Sequence, residues 1–178
     1  MGVQEYIFYI TKFTLIVVFA VSSFSKIRDI NGFKQTISAF RILPSQLNVF
    51  AANLFALLEF LVVAFLIFGG KLTPLGLGLA AILLVIFAIA LASTLLRGIK
   101  TSCNCFGTAN KELRLADVIR NVALTLITLM SFWTHGQQAV ESQNFATSAM
   151  LVGTGTIFGV FWINFSYIAD MLGFEVKK

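Results

Sequence analysis

What most constrains this chain is a set of long apolar runs separated by short polar stretches. Runs at about residues 6–24, 47–68, 74–96, 118–133 and 147–168 carry almost no charge. About 20 apolar residues in a helix cross the roughly 30 Å hydrocarbon core of a bilayer. Backbone groups find no water there and must pair within the helix. Composition agrees: of 178 residues, 58% are hydrophobic and only 12% charged, with a mean hydropathy of +0.89. A soluble domain carries about twice that charge. The expected fold class is therefore all-α, a polytopic membrane helix bundle of five spans.

The first run lies in "MGVQEYIFYITKFTLIVVFAVSSFSK". Lys12 falls inside the run, no basic region precedes it, and no clean small-residue cleavage pattern comes before Lys26, so it reads as a retained span rather than a signal peptide. Lys12 is close enough to one end for its stem to snorkel. Pro74 opens the third run, where a missing N–H costs nothing. Between the first two runs, Ile30, Phe33, Ile37 and Phe40 recur at helical spacing, with Lys34 and Arg41 opposite. That pattern predicts a short amphipathic helix lying in the membrane interface, ended by Pro44.

The net charge of +5 and pI near 9.5 do not indicate nucleic acid. The basic residues sit between apolar runs, with no aromatic-interleaved patch, and so set topology. Lys26, Arg28, Lys34, Arg41, Arg97, Lys100, Lys111, Arg114, Arg120, Lys177 and Lys178 share one side of a five-span arrangement, against Lys12 and Lys71 on the other. The positive-inside rule then puts the N-terminus outside and the C-terminus in the cytoplasm.

Both cysteines, Cys103 and Cys105, stand one residue apart in the polar stretch "RGIKTSCNCFGTANKELR" after the third run. A metal site would need three or four ligands, and the chain has no further cysteine. A disulfide between them would close a very small, strained ring, and strain makes a bridge easier to reduce. Arg97, Lys100, Lys111 and Arg114 nearby favour the reactive thiolate. The pair is thus a thiol–disulfide exchange site, two ordinary thiols at a membrane edge, or part of a metal site that a partner chain completes.

Glu59 is the second candidate. A carboxylate in the middle of a span costs several kcal/mol unless protonated or partnered, so it should face the bundle interior. Arg120, Asn121, Asn164 and Lys26 are the possible partners. Glu59 could be a proton or substrate group, a small-substrate or quinone handle, or a polar clasp that fixes packing. In the last run, Gly155 and Gly159 form G-x-x-x-G, which lets helices approach closely; a nucleotide loop would need a preceding strand. Gly76 and Gly78 suggest close packing in the third run. Trp133 and Trp162 suit interface anchors.

Five pieces of the sequence together resemble the MauE/DoxX family of small bacterial membrane proteins, and its MauE branch most closely. They are "FSKIRDINGF" at the end of the first run, "ILP" at 42–44, "LLEF" around Glu59, "CNCFG" at 103–107 and "DVIRN" at 117–121. They come in the family's order across residues 24–130. The resemblance implies a four-helix core over residues 1–134, with residues 135–178 adding a polar linker and a fifth transmembrane helix. It also implies a plasma (inner) membrane location and a thiol-redox role in maturing exported, disulfide-containing proteins, beside a thioredoxin-like or other membrane partner. Cys103 and Cys105 match the family's redox pair and Glu59 its buried acid, while Arg120 and Asn121 match at motif level only. No resident cofactor is implied. A different class of function, a non-catalytic subunit or assembly factor of a larger membrane complex, fits the uncharged third and fifth runs.

Overall fold

The protein was analysed as a computed structural model that describes residues 3–40, 44–99, 113–135 and 145–171. Among these the elements are helical: α1 (Val3–Arg28), α2 (Ile30–Phe40), α3 (Ser45–Phe68), α4 (Thr73–Leu96), α5 (Leu115–His135) and α6 (Phe145–Met171). All but α2 are long and apolar enough to cross a membrane. The five expected spans are therefore present, and the chain is a multi-pass helical bundle. Exposed Phe50, Phe60, Ile82, Ile89 and Ile157 form the surface that lipid covers.

The helix ends follow local chemistry. α1 continues past the apolar run to Arg28, because Lys26 is not at a solvent boundary. Asp29 then interrupts it, and its Oδ1 accepts the Gly32 N–H at 2.9 Å, capping the start of α2. α3 and α4 are joined by a tight 3₁₀ turn, Gly70–Leu72. Gly69 and Gly70 take φ of 66° and 56° there, a region glycine enters without a Cβ penalty. α4 ends at Gly98 (φ 64°), where Ile99 N–H reaches Thr94 O at 3.2 Å and Gly98 N–H reaches Leu95 O at 3.0 Å. That paired closure is a Schellman motif.

Two apolar clusters fill the bundle. The larger joins Leu15 and Phe19 of α1, Val62 and Leu66 of α3, Leu77 and Leu83 of α4 and Leu124 of α5. The smaller gathers Phe33, Ile37 and Phe40 of α2 with Ala52, Phe87, Leu91 and Leu113. This revises the expectation for α2. Its periodic apolar face is turned onto α3 and α4 rather than into lipid, because Phe33 packs beside a buried cation that needs cover. Lys34 stays half-buried, while Arg41 lies outside the described residues.

α6 packs directly on α1. Thr14 Oγ1 donates to Gly155 O at 3.2 Å, a Cβ at Gly155 would collide with Phe13 Cβ, and one at Gly159 would lie 2.8 Å from Val17 Cβ. The G-x-x-x-G spacing thus serves close helix approach as expected. Gly76 does likewise where α4 meets Leu66, whereas Gly78 has only ordinary contacts. Gly155→Ala should cost about 1–3 kcal/mol through overpacking, read as a lowered thermal midpoint in mild detergent. Gly153→Ala, whose added methyl meets nothing within 4 Å, should leave the midpoint unchanged.

Candidate functional site

Among the described residues the buried charged side chains, Lys26, Glu59, Asp117 and Arg120, collect toward one end of the bundle. Lys26 enters from the last turns of α1 and Glu59 from the middle of α3, and the two residues are 1% and 2% exposed. Lys26 Nζ lies 2.5 Å from Glu59 Oε1. Ser22, one turn earlier on α1, accepts from Lys26 Nζ at 2.8 Å and donates to Glu59 Oε1 at 3.2 Å. The ammonium also stands 4.8 Å from the Phe33 ring centroid and 4.9 Å from that of Phe87. Hydrogen bonds on one side and aromatic faces on the other stabilise a cation that burial would otherwise disfavour.

Lys26 is thus the partner Glu59 takes from the four possibilities. Asn121 Nδ2 instead donates to Asp117 O at 3.0 Å. Asn164 bonds to Val160 O of its own helix and is exposed. Arg120 and Asn121 nevertheless approach the pair: with Ser22, Lys26, Glu59 and Phe87 they line a cavity of about 30 Å³. Glu59 Oε2 has no hydrogen-bond partner among the described residues. The cavity is large enough for a water or two and far below the few hundred Å³ of organic-ligand pockets. Among the described residues Phe19, Leu84 and Leu124 close in the rest of this cavity, so the cavity itself is too small for a quinone.

A second cluster adjoins the first at the start of α5. Asp117 Oδ2 accepts the Arg114 N–H at 3.1 Å, the reach-back half of a capping box. That bond explains why α5 begins at Leu115, three residues before the apolar run. Asp117 Oδ1 accepts from Ser166 Oγ of α6 at 2.5 Å and lies 3.6 Å from Arg120 Nη2. Asp117 is 7% and Arg120 4% exposed. One carboxylate thereby caps α5, holds α6 and balances Arg120. Asp117 belongs to the "DVIRN" piece, and its spacing from Arg114 is the sequence signal for the cap. Ser166 had no signal, being one hydroxyl in an apolar span.

Cys103 and Cys105 lie outside the described residues, as does all of 100–112. The flanks of that segment are defined. It leaves α4 at the Gly98 closure and returns at Leu113, which is packed in the smaller apolar cluster just before the Asp117 cap. Both flanks therefore belong to the end of the bundle that carries the polar cluster.

Removing one member of a buried ion pair leaves the other uncompensated, at about 3–5 kcal/mol. Lys26→Met and Glu59→Leu should each lower the unfolding midpoint in bicelles by that order. The double variant should lose less than the two singles combined, as coupled sites do; additive losses would show that the two side chains do not interact.

The family model described as methylamine utilisation protein MauE matches residues 4–134, which hold α1 to α5 but for Val3 and His135. The methylamine utilization protein MauE of Paracoccus denitrificans is 32% identical over 129 residues, covering 71% of this chain and 69% of that protein. No solved structure matches the chain. Lys26, Glu59, Cys103, Cys105, Asp117, Arg120 and Asn121 all fall within the matched residues. On the extent of both matches, the chain belongs to the MauE family of methylamine utilisation proteins.

Proposed function

We propose that this protein is an integral-membrane thiol-redox accessory whose Cys103–Cys105 pair supports the maturation of other proteins in methylamine utilisation, the process for which its relative is named. The observation that carries this reading is the convergence of buried charged groups toward one end of an apolar bundle. The Lys26–Glu59 pair, the Arg120 and Asn121 side chains and both flanks of the cysteine-bearing segment share that end. The closed end of α4 and the capped start of α5 flank that segment on either side.

The chemistry needs no cofactor. A thiolate of the pair attacks a disulfide of a thioredoxin-like partner, forming a mixed disulfide and releasing one partner thiolate. The second cysteine then displaces the other partner sulfur, which leaves Cys103–Cys105 oxidised and the partner reduced by two electrons. The reverse sequence reduces the pair. Basic Arg97 and Arg114 at the flanks favour the thiolate in either direction.

The topology proposed with this is N-terminus outside and C-terminus cytoplasmic, in a bacterial plasma membrane. Lys26 and Arg120 are buried against carboxylates and no longer count as loop cations. The bias then rests on nine cations against two, still in the same direction. A second reading, subunit of a larger complex, draws on α6: Met150, Phe158, Phe161 and Tyr167 of that helix all face outward.

Cys103→Ser or Cys105→Ser should accumulate a mixed disulfide with a partner, lost on reduction and missing in the double variant. A membrane-impermeant thiol reagent should label the pair only after the cells are opened. Full maturation activity in the double variant would refute the redox role, and labelling in intact cells would reverse the topology.

A further inference from the structure

At the other end of the bundle a second cation stands in apolar surroundings, in a different state. Lys12 lies in the third turn of α1, beside the α3–α4 turn: a Cβ at Gly69 would be 3.4 Å from its Nζ. About 21 Å along α1 separates it from Lys26, so both fit within one bilayer thickness, with Lys12 level with the turn where the chain leaves the hydrocarbon. Among the described residues Lys12 makes no ion pair or hydrogen bond. The nearest carboxylate on its own helix, Glu5, is two turns away, about 10 Å.

Beside Lys12 runs a groove of about 350 Å³. α1 forms its floor through Phe13 and Val17, and Ile67 of α3 faces Val152 and Thr156 of α6 across it. Thr156 already donates its hydroxyl proton to Val152 O at 2.7 Å, so Lys12 supplies the groove's free charge. Ile67 and Val152 are 62% and 44% exposed, and the groove therefore opens on the lipid-facing surface.

We propose that this groove binds one anionic phospholipid, its phosphate on Lys12 and the upper part of an acyl chain along Phe13, Val17 and Val152. A cation at membrane depth without a counter-ion is costly, and the lipid phosphate layer is the anion present at that level. An acyl chain matches an apolar trough that opens sideways into the bilayer. The weak negative end of α3 points the same way for Lys12 and leaves its full charge to be neutralised. Such a lipid bridges α3 and α6, both of which pack on α1.

The test is thermal unfolding of the full-length protein in neutral detergent, titrated with phosphatidylglycerol, phosphatidylcholine or inorganic phosphate, with lipid retention read in parallel by native mass spectrometry. Phosphatidylglycerol should raise the midpoint saturably and remain bound, whereas phosphatidylcholine and phosphate should do neither. Lys12→Gln should weaken the phosphatidylglycerol response at least tenfold, Lys12→Arg should keep it, and Lys71→Gln, on the exposed turn nearby, should not alter it. An undiminished response in Lys12→Gln would overturn the proposal. So would an equal response to phosphatidylcholine, an equal response to free phosphate, or an equal loss in Lys71→Gln.

Discussion

The structure depends on how a carboxylate is kept in the middle of an apolar helix. Glu59 is buried to 2% exposure inside the bundle, and Lys26 supplies the opposite charge from α1 at 2.5 Å. That contact sets the register of α1 against α3 and requires α1 to run on past its apolar stretch. It also accounts for the company Lys26 keeps: Ser22 as a shared hydrogen-bonding group, and the Phe33 and Phe87 rings on the opposite side. Those two rings belong to α2 and α4, so one ion pair organises four helices. A buried pair of this kind contributes little net stability over a well-packed apolar pair. Its retention is better understood as fixing one arrangement among several that apolar helices could adopt.

The bundle is chemically asymmetric along its axis. One end holds the ion pair, the water-sized cavity, the Asp117 cap with its Ser166 and Arg120 contacts, and the flanks of the cysteine-bearing segment. The other has a two-glycine turn and a single half-buried lysine beside an apolar groove. Such a division is what the proposed thiol-redox role at one membrane face and the proposed lipid site at the other would require. Asp117 connects the two levels of organisation, because the same carboxylate starts α5 and tethers α6, a helix beyond the matched family region.

Much of this architecture was legible in the sequence because hydropathy acts over twenty residues at a time. The five spans, the α2 periodicity and the Gly155–Gly159 packing surface were all readable. Helix ends were less so, since each is set by one or two hydrogen bonds: Lys26 pairing extends α1, and the Arg114–Asp117 bond starts α5 early. Amphipathicity identified α2 but could not distinguish lipid from protein as the partner of its apolar face. For Glu59, composition required a partner but four residues met the requirement; only the three-dimensional packing singles out Lys26. Ser166 contributes through a contact 49 residues away, which no local pattern encodes.

The most direct measurement is a dipolar recoupling experiment between Lys26 Nζ and Glu59 Cδ by solid-state NMR on the isotope-labelled protein in bilayers. A bonded pair predicts a strong coupling, lost in Lys26→Met and unaffected in Lys12→Gln. No coupling, or a Glu59 coupling that survives in Lys26→Met, would contradict the arrangement on which the fold and the site are built.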